Sequence, residues 1–239
     1  MRNDKDFKEH SIKLTTEYLA KYPDAASRYC KTKEKQIANI EKNFNKIISP
    51  GDPTTKPDIL VSEMLESLFN HDISKRNEIQ KQYNDQKQTE MMIGELLERY
   101  IAKEGEIYGW AFSGECIKAV DFIKKESNEW IKLQIKTSDN TENSSAKAIR
   151  DDTPIIKWFR RFSSPKTKTP VLKKNGKLSK LGLTTEEYEK ILKTGNYETF
   201  TQPDYNWENF PDDELVKVLS EDGFREFISE HIETIKSDL

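Results

Sequence analysis

Apolar residues at Ile12, Leu14, Tyr18, Leu19, Ile37, Ile40, Phe44 and Ile47 recur at helix-compatible spacings, so residues 4 to about 48 are predicted to be helical. The stretch "SPGDPTTKPD" interrupts that period, and Pro57 followed by Asp58 as an N-cap predicts a helix over "DILVSEMLESLF". "SKRNEIQKQYNDQKQTEMMIGELLERYIAKEG" then reads as one long helix, or a bent pair, ending near Gly105. Beyond Gly105 the period shortens to two. Ile117, Ala119 and Asp121 fall on one side of an extended segment with Val120 and Phe122 on the other, and Ile131, Leu133 and Ile135 alternate with Trp130, Lys132, Gln134 and Lys136. These are predicted to be adjacent strands joined by the polar turn "KKESNE". "TPIIKWFRRF" is predicted to be helical and "KKNGK" a turn, while "TTEEYEKIL", "DDELVKVL" and "GFREFISEHIETI" read as short helices with capping-type starts. No repeat or linker divides the chain. The expected class is mixed α/β, with a helical region over 1–90 and the strands and C-terminal helices within 91–239, forming one compact domain.

A chain of 239 residues can bury a sizeable core. Charged and hydrophobic residues each make up 34%, a composition above that of wholly disordered chains. Cys30 and Cys116 are the only cysteines, and no apolar run approaches the roughly 18 residues of a membrane span. The opening "MRNDKDFKEH" has neither a secretory nor a transit pattern, so a cytoplasmic protein with reduced thiols and no membrane partner is expected. The net charge of -3 is unevenly spread: Lys157 to Lys180 contains nine Lys or Arg and no acid, whereas Pro203 to Leu239 holds eleven acids against three bases. A basic segment in an acidic chain suits local phosphate contact, because the contacting surface and not the net charge sets counterion release. Taken alone, the run is better read as a solvated lysine-rich loop.

Hydrolysis of a phosphodiester needs a divalent metal held by carboxylate and carbonyl oxygens and a cation beside the developing charge. Asp121 offers an anionic ligand at a strand end. Gln134 and Lys136 are two apart on the neighbouring strand, so they share a face roughly 7 Å apart, and the Ile135 carbonyl lies between them. The acid-or-Gln, any residue, Lys pattern also occurs at Asp6-Phe7-Lys8 and Asp85-Gln86-Lys87, but only the copy at Gln134 follows a strand and an acid. An ordinary hairpin with Gln and Lys on its exposed face is the competing reading.

At these residues the chain resembles the PD-(D/E)XK nuclease superfamily and, within it, the type II restriction endonucleases. The resemblance implies a nuclease core: a mixed central sheet flanked by helices, with a helix carrying Glu, a strand ending in Asp and a strand carrying Glu-x-Lys. Gly94-Glu95-Leu96-Leu97-Glu98 looks like the family's Gly-x-x-Leu-Glu helix signature, Asp121 matches the strand Asp and Lys136 the lysine. Glu95 and Glu98 share a helix face and either could reach the metal; the family pattern favours Glu98. The family's middle acid is Gln134 here, which keeps a carbonyl ligand but removes a charge and puts full activity in doubt; a Gln-x-Lys form is known in some branches. The segment "KTSDNTENSSAKAIR" followed by "IIKWFR" is similar to the region after the catalytic lysine in SinI-type restriction enzymes. That similarity implies a short palindromic site of the GGWCC type. Asn140, Glu142, Asn143, Ser144, Ser145 and Arg150 are candidates for DNA contact, with Lys157, Arg160 and Arg161 as phosphate clamps. Ser144 and Ser145 also suit helix capping, and Trp158 and Phe159 suit the core better than base stacking.

Other chemistries find no support in the sequence. His10, His71 and His231 are scattered, two isolated cysteines give no zinc spacing, and no phosphate-binding glycine loop or Gly-x-Ser-x-Gly elbow is present. The amphipathic stretch Glu221 to Ile235 has an acidic polar face that suits packing or dimerisation better than a membrane. The expectation is therefore a Mg²⁺-dependent type II restriction endonuclease, homodimeric on a short palindrome in double-stranded DNA, with a cognate DNA methyltransferase in the same system. In it Asp121, Glu98, Gln134 and the Ile135 carbonyl hold the metal, and Lys136 acts on the water and the transition state. A repair or structure-specific nuclease with the same core, and a non-catalytic DNA-binding protein with a degenerate site, are the two alternatives.

Overall fold

Four helices precede the strands in the computed structural model, which describes residues 4–46, 48, 59–69, 75–139, 154–163, 186, 189, 190, 193 and 205–237. They are α1 (Asp4–Lys21), α2 (Lys33–Asn45), α3 (Ile59–Phe69) and α4 (Arg76–Gly105). The strands β1 (Trp110–Ile117), β2 (Val120–Glu126), β3 (Glu129–Ser138) and β4 (Ile156–Arg161) form one sheet in the order β1-β2-β3-β4. The first three are antiparallel neighbours and β4 runs parallel to β3, so the mixed α/β class is as expected. A last helix, α5 (Glu221–Ser237), follows 3-10 turns at Trp207–Asn209 and Leu215–Lys217.

Strand alternation divides the apolar side chains between two faces, which is why the sheet is covered on both. On one face Leu96, Leu97, Tyr100 and Ile101 of α4 and Phe224 of α5 bury Trp110, Phe122, Leu133, Ile135 and Trp158. On the other, Leu14, Tyr18 and Leu19 of α1 and Ile40 of α2 bury Ala111, Val120 and Ile123. Phe122 and Ile123 are sequence neighbours in opposite clusters, as the two-residue period requires. Full burial of each such side chain contributes about 1.5–3 kcal/mol.

Several expectations need correction. Residues 4–48 are not one helical stretch: 22–32 cross the end of β1, where Ala26 bridges Ile117 and Ser27 N–H donates to the Cys116 carbonyl at 2.8 Å. The segment "TPIIKWFRRF" is strand and not helix. Trp158 and Arg160 are the inward members of an alternation that a count of apolar residues misses, because one of them is charged. Asp121 opens β2 instead of ending a strand, since Lys118 and Ala119 form a tight turn between β1 and β2 with Ala119 at φ 57. The polar turn between β2 and β3, the start of α3, the single long helix to Gly105 and the C-terminal helix agree with the sequence reading. "DDELVKVL" is reduced to the 3-10 turn, and "KKNGK" and most of "TTEEYEKIL" lie outside the described residues.

The inward Arg160 explains how β4 is held. Its Nη1 donates to both carboxylate oxygens of Glu221 at 2.7 and 2.8 Å, and its guanidinium lies over the rings of Tyr205 and Phe224. Trp207 Nε1 donates to the same carboxylate at 3.1 Å. Asn206 completes the join: its N–H donates to the Arg160 carbonyl at 2.7 Å and its side-chain amide to the Phe159 carbonyl at 3.0 Å. Arg160 was expected as a phosphate clamp, but its guanidinium is engaged inside the fold. Removing one partner of a buried pair strands the other charge. Arg160→Ala should therefore lower unfolding free energy by about 3 kcal/mol in urea denaturation, whereas replacing Arg160 and Glu221 together by apolar residues of similar volume should lose much less.

Candidate active site

The sheet opens into a fork beside α4. Antiparallel pairing of β2 with β3 runs from Glu126–Glu129 to Phe122–Leu133. At the next residue of β2 the Asp121 side chain takes over, with Oδ2 accepting the Ile135 N–H at 2.6 Å. Along β3, Leu133 and Ile135 point into the α4-side core, so Gln134 and Lys136 project to the opposite face. Gln134 is buried and Lys136 half-buried. Asp121, Gln134 and Lys136 thus sit at one fork, as the sequence predicted.

The two helix acids, left as alternatives by the sequence, are separated here by their partners. Glu95 is turned toward α2, where both its oxygens receive Lys46 Nζ at 2.7 and 2.6 Å. Arg99 fastens the same junction by donating to the carbonyls of Asn43, at 2.6 Å, and Lys46. Glu98 instead feels the charges of Asp121 and Lys136. Burial, and then the charge of Asp121, raise its carboxyl from 4.5 to about 8; Glu95 and Glu115 add to the rise and Lys136 opposes it. Burial likewise raises Asp121 from 3.8 to about 6, against the lowering effect of the Ile135 hydrogen bond and of Lys136.

This arrangement is short of positive charge. Two buried carboxylates share one nearby ammonium, and neither is held at its ordinary acidity. A divalent cation would correct that deficit, and the donors on hand are hard oxygens: two carboxylates, the Gln134 amide and the Ile135 carbonyl. Among the described residues no group of three or more His, Cys, Asp or Glu side chains could hold a metal, so any ligand set at the fork must include neutral oxygens. Gln134 in place of an acid is the reason.

The other candidates distribute as follows. Asn140, Glu142, Asn143, Ser144, Ser145 and Arg150 lie outside the described residues. Lys157 pairs in register with Gln134 on β4, and the exposed Arg161 pairs with Ser138. Trp158 is buried, as expected of a core residue. The chain leaves β3 and β4 side by side: Asp139 N–H donates to the Arg161 carbonyl at 3.2 Å, and Ser163 N–H to Asp139 Oδ1 at 2.7 Å. The Asn/Ser-rich and basic stretches therefore start from the sheet end that carries Lys136. Glu115, Lys46 and Glu221 were not foreseen. Each acts through a partner 17 to 61 residues away, and no local motif marks them. His231 is a satisfied side chain against the Ile48 carbonyl at 2.8 Å.

Comparison with known proteins identifies the family. A family profile described as SinI restriction endonuclease matches residues 3–193. The type II restriction enzyme SinI of Salmonella infantis is 35% identical, over 94% of this chain and 87% of its own length. The type II restriction enzyme Eco47I of Escherichia coli is 33% identical, over 92% of this chain and 86% of its own. The chain belongs to the SinI restriction endonuclease family. Of the three functions that the sequence left open, the restriction enzyme is the one that stands.

The acid pair has a consequence for stability. A carboxyl whose pKa is raised by folding contributes stability below its unfolded value and loses it as pH rises through the folded one. For Glu98 that window runs from 4.5 to about 8. In EDTA, Glu98→Gln should match the wild type near pH 4 and exceed it by on the order of 2 kcal/mol at pH 9. Thermal melts across that range check the sign, and a gain that shrinks with rising pH would contradict the assignment.

Proposed function

We propose that the chain is a PD-(D/E)XK-type endonuclease that cuts both strands of DNA at a short palindrome of the GGWCC kind, with Mg²⁺ at the fork. The observation that carries this reading is the charge-deficient pair Asp121 and Glu98 set beside Lys136. Asp121, Glu98, the Gln134 amide oxygen and the Ile135 carbonyl are the groups that would hold the ion. When bound, Mg²⁺ polarises the scissile phosphate and acidifies a water. Asp121 is pre-set for its part, because the Ile135 N–H fixes one oxygen and leaves the other free to turn toward the ion. Lys136 donates a hydrogen bond that orients the attacking water and places its charge where the pentavalent phosphate becomes more anionic. Gln134 contributes a neutral oxygen, so Glu98 has to supply the second negative charge.

Sequence reading falls to the stretches that begin at Asp139 and Ser163. Arg150, Lys157 and Arg161 neutralise phosphates, while Asn140, Glu142, Asn143, Ser144 and Ser145 address base edges. A palindromic target presents two equivalent strands, so the active form is a homodimer with one fork per strand. Among the described residues no helix is long and apolar enough to cross a membrane. A cytoplasmic enzyme of this kind needs a methyltransferase to protect the host's own sites.

Incubation of unmethylated phage DNA with the chain should give discrete fragments in Mg²⁺ and intact DNA in EDTA. Lys136→Ala should lower the cleavage rate by at least 10³-fold while changing DNA affinity less than tenfold; wild-type cleavage by that variant would remove Lys136 from the site. Arg150→Ala should weaken binding at moderate salt and flatten its salt dependence by about one phosphate contact. An unchanged affinity and slope would place Arg150 off the DNA.

A further inference from the structure

We propose that the segment from Lys21 to Lys35 grips the DNA backbone, on the side of the fork away from the basic run that follows β4. The inference rests on the endonuclease reading for its ligand, and on sheet geometry for its place. Ala26 bridges Ile117 at the open edge of β1, Ser27 N–H donates to the Cys116 carbonyl at 2.8 Å, and Lys118 N–H donates to the Ala25 carbonyl at 3.0 Å. Ile117 pairs with Val120, the residue before Asp121, so the segment crosses the sheet at its fork end. At that same end Ser138 pairs with Arg161, where the basic run departs. The fork between β2 and β3 therefore lies between two basic edges. Four strand spacings, about 19 Å in all, separate those edges. A duplex rising roughly 3.4 Å per base pair crosses that span in about six pairs.

The charge of the segment is opposite to that of the chain. Residues 21–35 hold five bases, Lys21, Arg28, Lys31, Lys33 and Lys35, against Asp24 and Glu34, a net charge of +3 in a chain whose total is -3. All five bases are exposed. Arg28 is held by a neutral partner: its Nη2 donates to the Tyr29 hydroxyl, and its guanidinium lies 4.6 Å from the centre of that exposed ring. An aromatic partner fixes a cation without cancelling its charge. Beside it, α1 and the start of α2 border a cleft of about 450 Å³ with Lys13, Lys31 and Lys33 in its lining. The acid in that lining, Glu17, is engaged by Lys125.

Charge alone admits any polyanion, and position selects DNA. The segment stands two strand spacings, about 10 Å, from the strand that carries Asp121. A duplex seated for cleavage at the fork carries a phosphate about every 1.7 Å of its axis, so several fall within reach of this edge. Lysine and arginine contacts to phosphate carry no sequence information. The segment therefore adds affinity and fixes the lie of the duplex, and leaves the choice of site to the stretches that begin at Asp139 and Ser163.

Binding of a labelled duplex of about 30 base pairs to the full chain in EDTA, followed over a range of salt, tests the proposal. Arg28→Gln/Lys31→Gln/Lys33→Gln should weaken binding about tenfold or more at moderate salt and flatten the plot of log affinity against log salt by between about two and three. Lys81→Gln/Lys103→Gln/Lys217→Gln removes the same charge from exposed positions elsewhere and should leave the slope within about half a contact of wild type. A wild-type slope in the first variant, or equal losses in the two, overturns the proposal. Lys31 Nζ also holds the Ala26 carbonyl at 3.2 Å. Should its loss unfold the chain, Arg28→Gln/Lys33→Gln decides: a slope flattened by about two supports the grip and a wild-type slope overturns it. Inorganic phosphate separates the other source of the same chemistry. If millimolar phosphate raises the melting temperature of wild type and not of the triple variant while the DNA slopes coincide, the cleft takes a small anion and the proposal falls. Neither Mg²⁺ nor cleavage enters these measurements. A chain that cuts DNA but whose triple variant keeps the wild-type slope retains the nuclease reading and loses the grip, whereas one that leaves DNA intact in Mg²⁺ yet shows the slope difference does the reverse.

Discussion

The hydrogen bond from the Ile135 N–H to Asp121 is the hinge of this structure, because it replaces the backbone pairing that β2 and β3 would otherwise continue. A buried N–H without an acceptor costs on the order of 1–3 kcal/mol, so the strands can part here only if a side chain takes the donor. Asp121 does so with one oxygen and keeps the other. The same residue that lets the sheet open thereby stands inside the opening. The turn before it contributes: Ala119 adopts a left-handed conformation that costs a non-glycine residue roughly 1–2 kcal/mol. That turn separates β1 from β2, which starts one residue ahead of the acid. The consequence is an Asp at the mouth of a strand, held rigidly by its neighbour's backbone.

Everything around the fork can be understood as what is needed to keep two acids there. Glu98 and Asp121 are buried near each other with both carboxyls pushed toward the neutral form. The two apolar layers on the faces of the sheet offset that expense, and the Lys46–Glu95 pair limits it by engaging a third acid that would add to the repulsion. The exposed Lys46–Glu95 pair is itself worth little to stability; its effect is on the field felt by Glu98. A site poised in this way would gain from a divalent cation in proportion to what it lacks without one. Gln134 tempers the design, since a third carboxylate would raise the repulsion further and a neutral oxygen does not.

The sequence exposed the parts of this scheme that rest on short-range pattern. Alternation located β2 and β3, helical period located α4 and α5, and spacing put Gln134 and Lys136 on one face. Where it failed, a long-range contact had overridden the local signal. Arg160 made "IIKWFRR" look like a basic helix face, because nothing nearby announces the carboxylate of Glu221 61 residues later. The choice between Glu95 and Glu98 was undecidable for the same reason: they share a helix face, and only Lys46, 49 residues before Glu95, distinguishes them. Asp121 was placed at the wrong end of its strand because Ala119 is a poor residue for the turn it occupies, so no turn signal stood in the way of an uninterrupted strand.

The buried Arg160–Glu221 pair then takes on a meaning beyond stability. A well-packed apolar pair would be as stable or more so, so its retention calls for another reason. Its location supplies one: β4 is the edge strand from which the basic run departs, and Tyr205 bridges back to Arg161. The pair, with Asn206 on the carbonyls of β4, ties the outgoing and returning chain to one point. An apolar contact tolerates sliding, whereas a two-oxygen grip on a guanidinium fixes direction and register. Register matters here because Arg161 sits opposite Ser138, two residues beyond Lys136. A slip of one residue at β4 would invert its side chains and move the exit of the basic run relative to Lys136. The ion pair is therefore best understood as the device that keeps both ends of the excursion between Arg161 and Tyr205 in register with the fork.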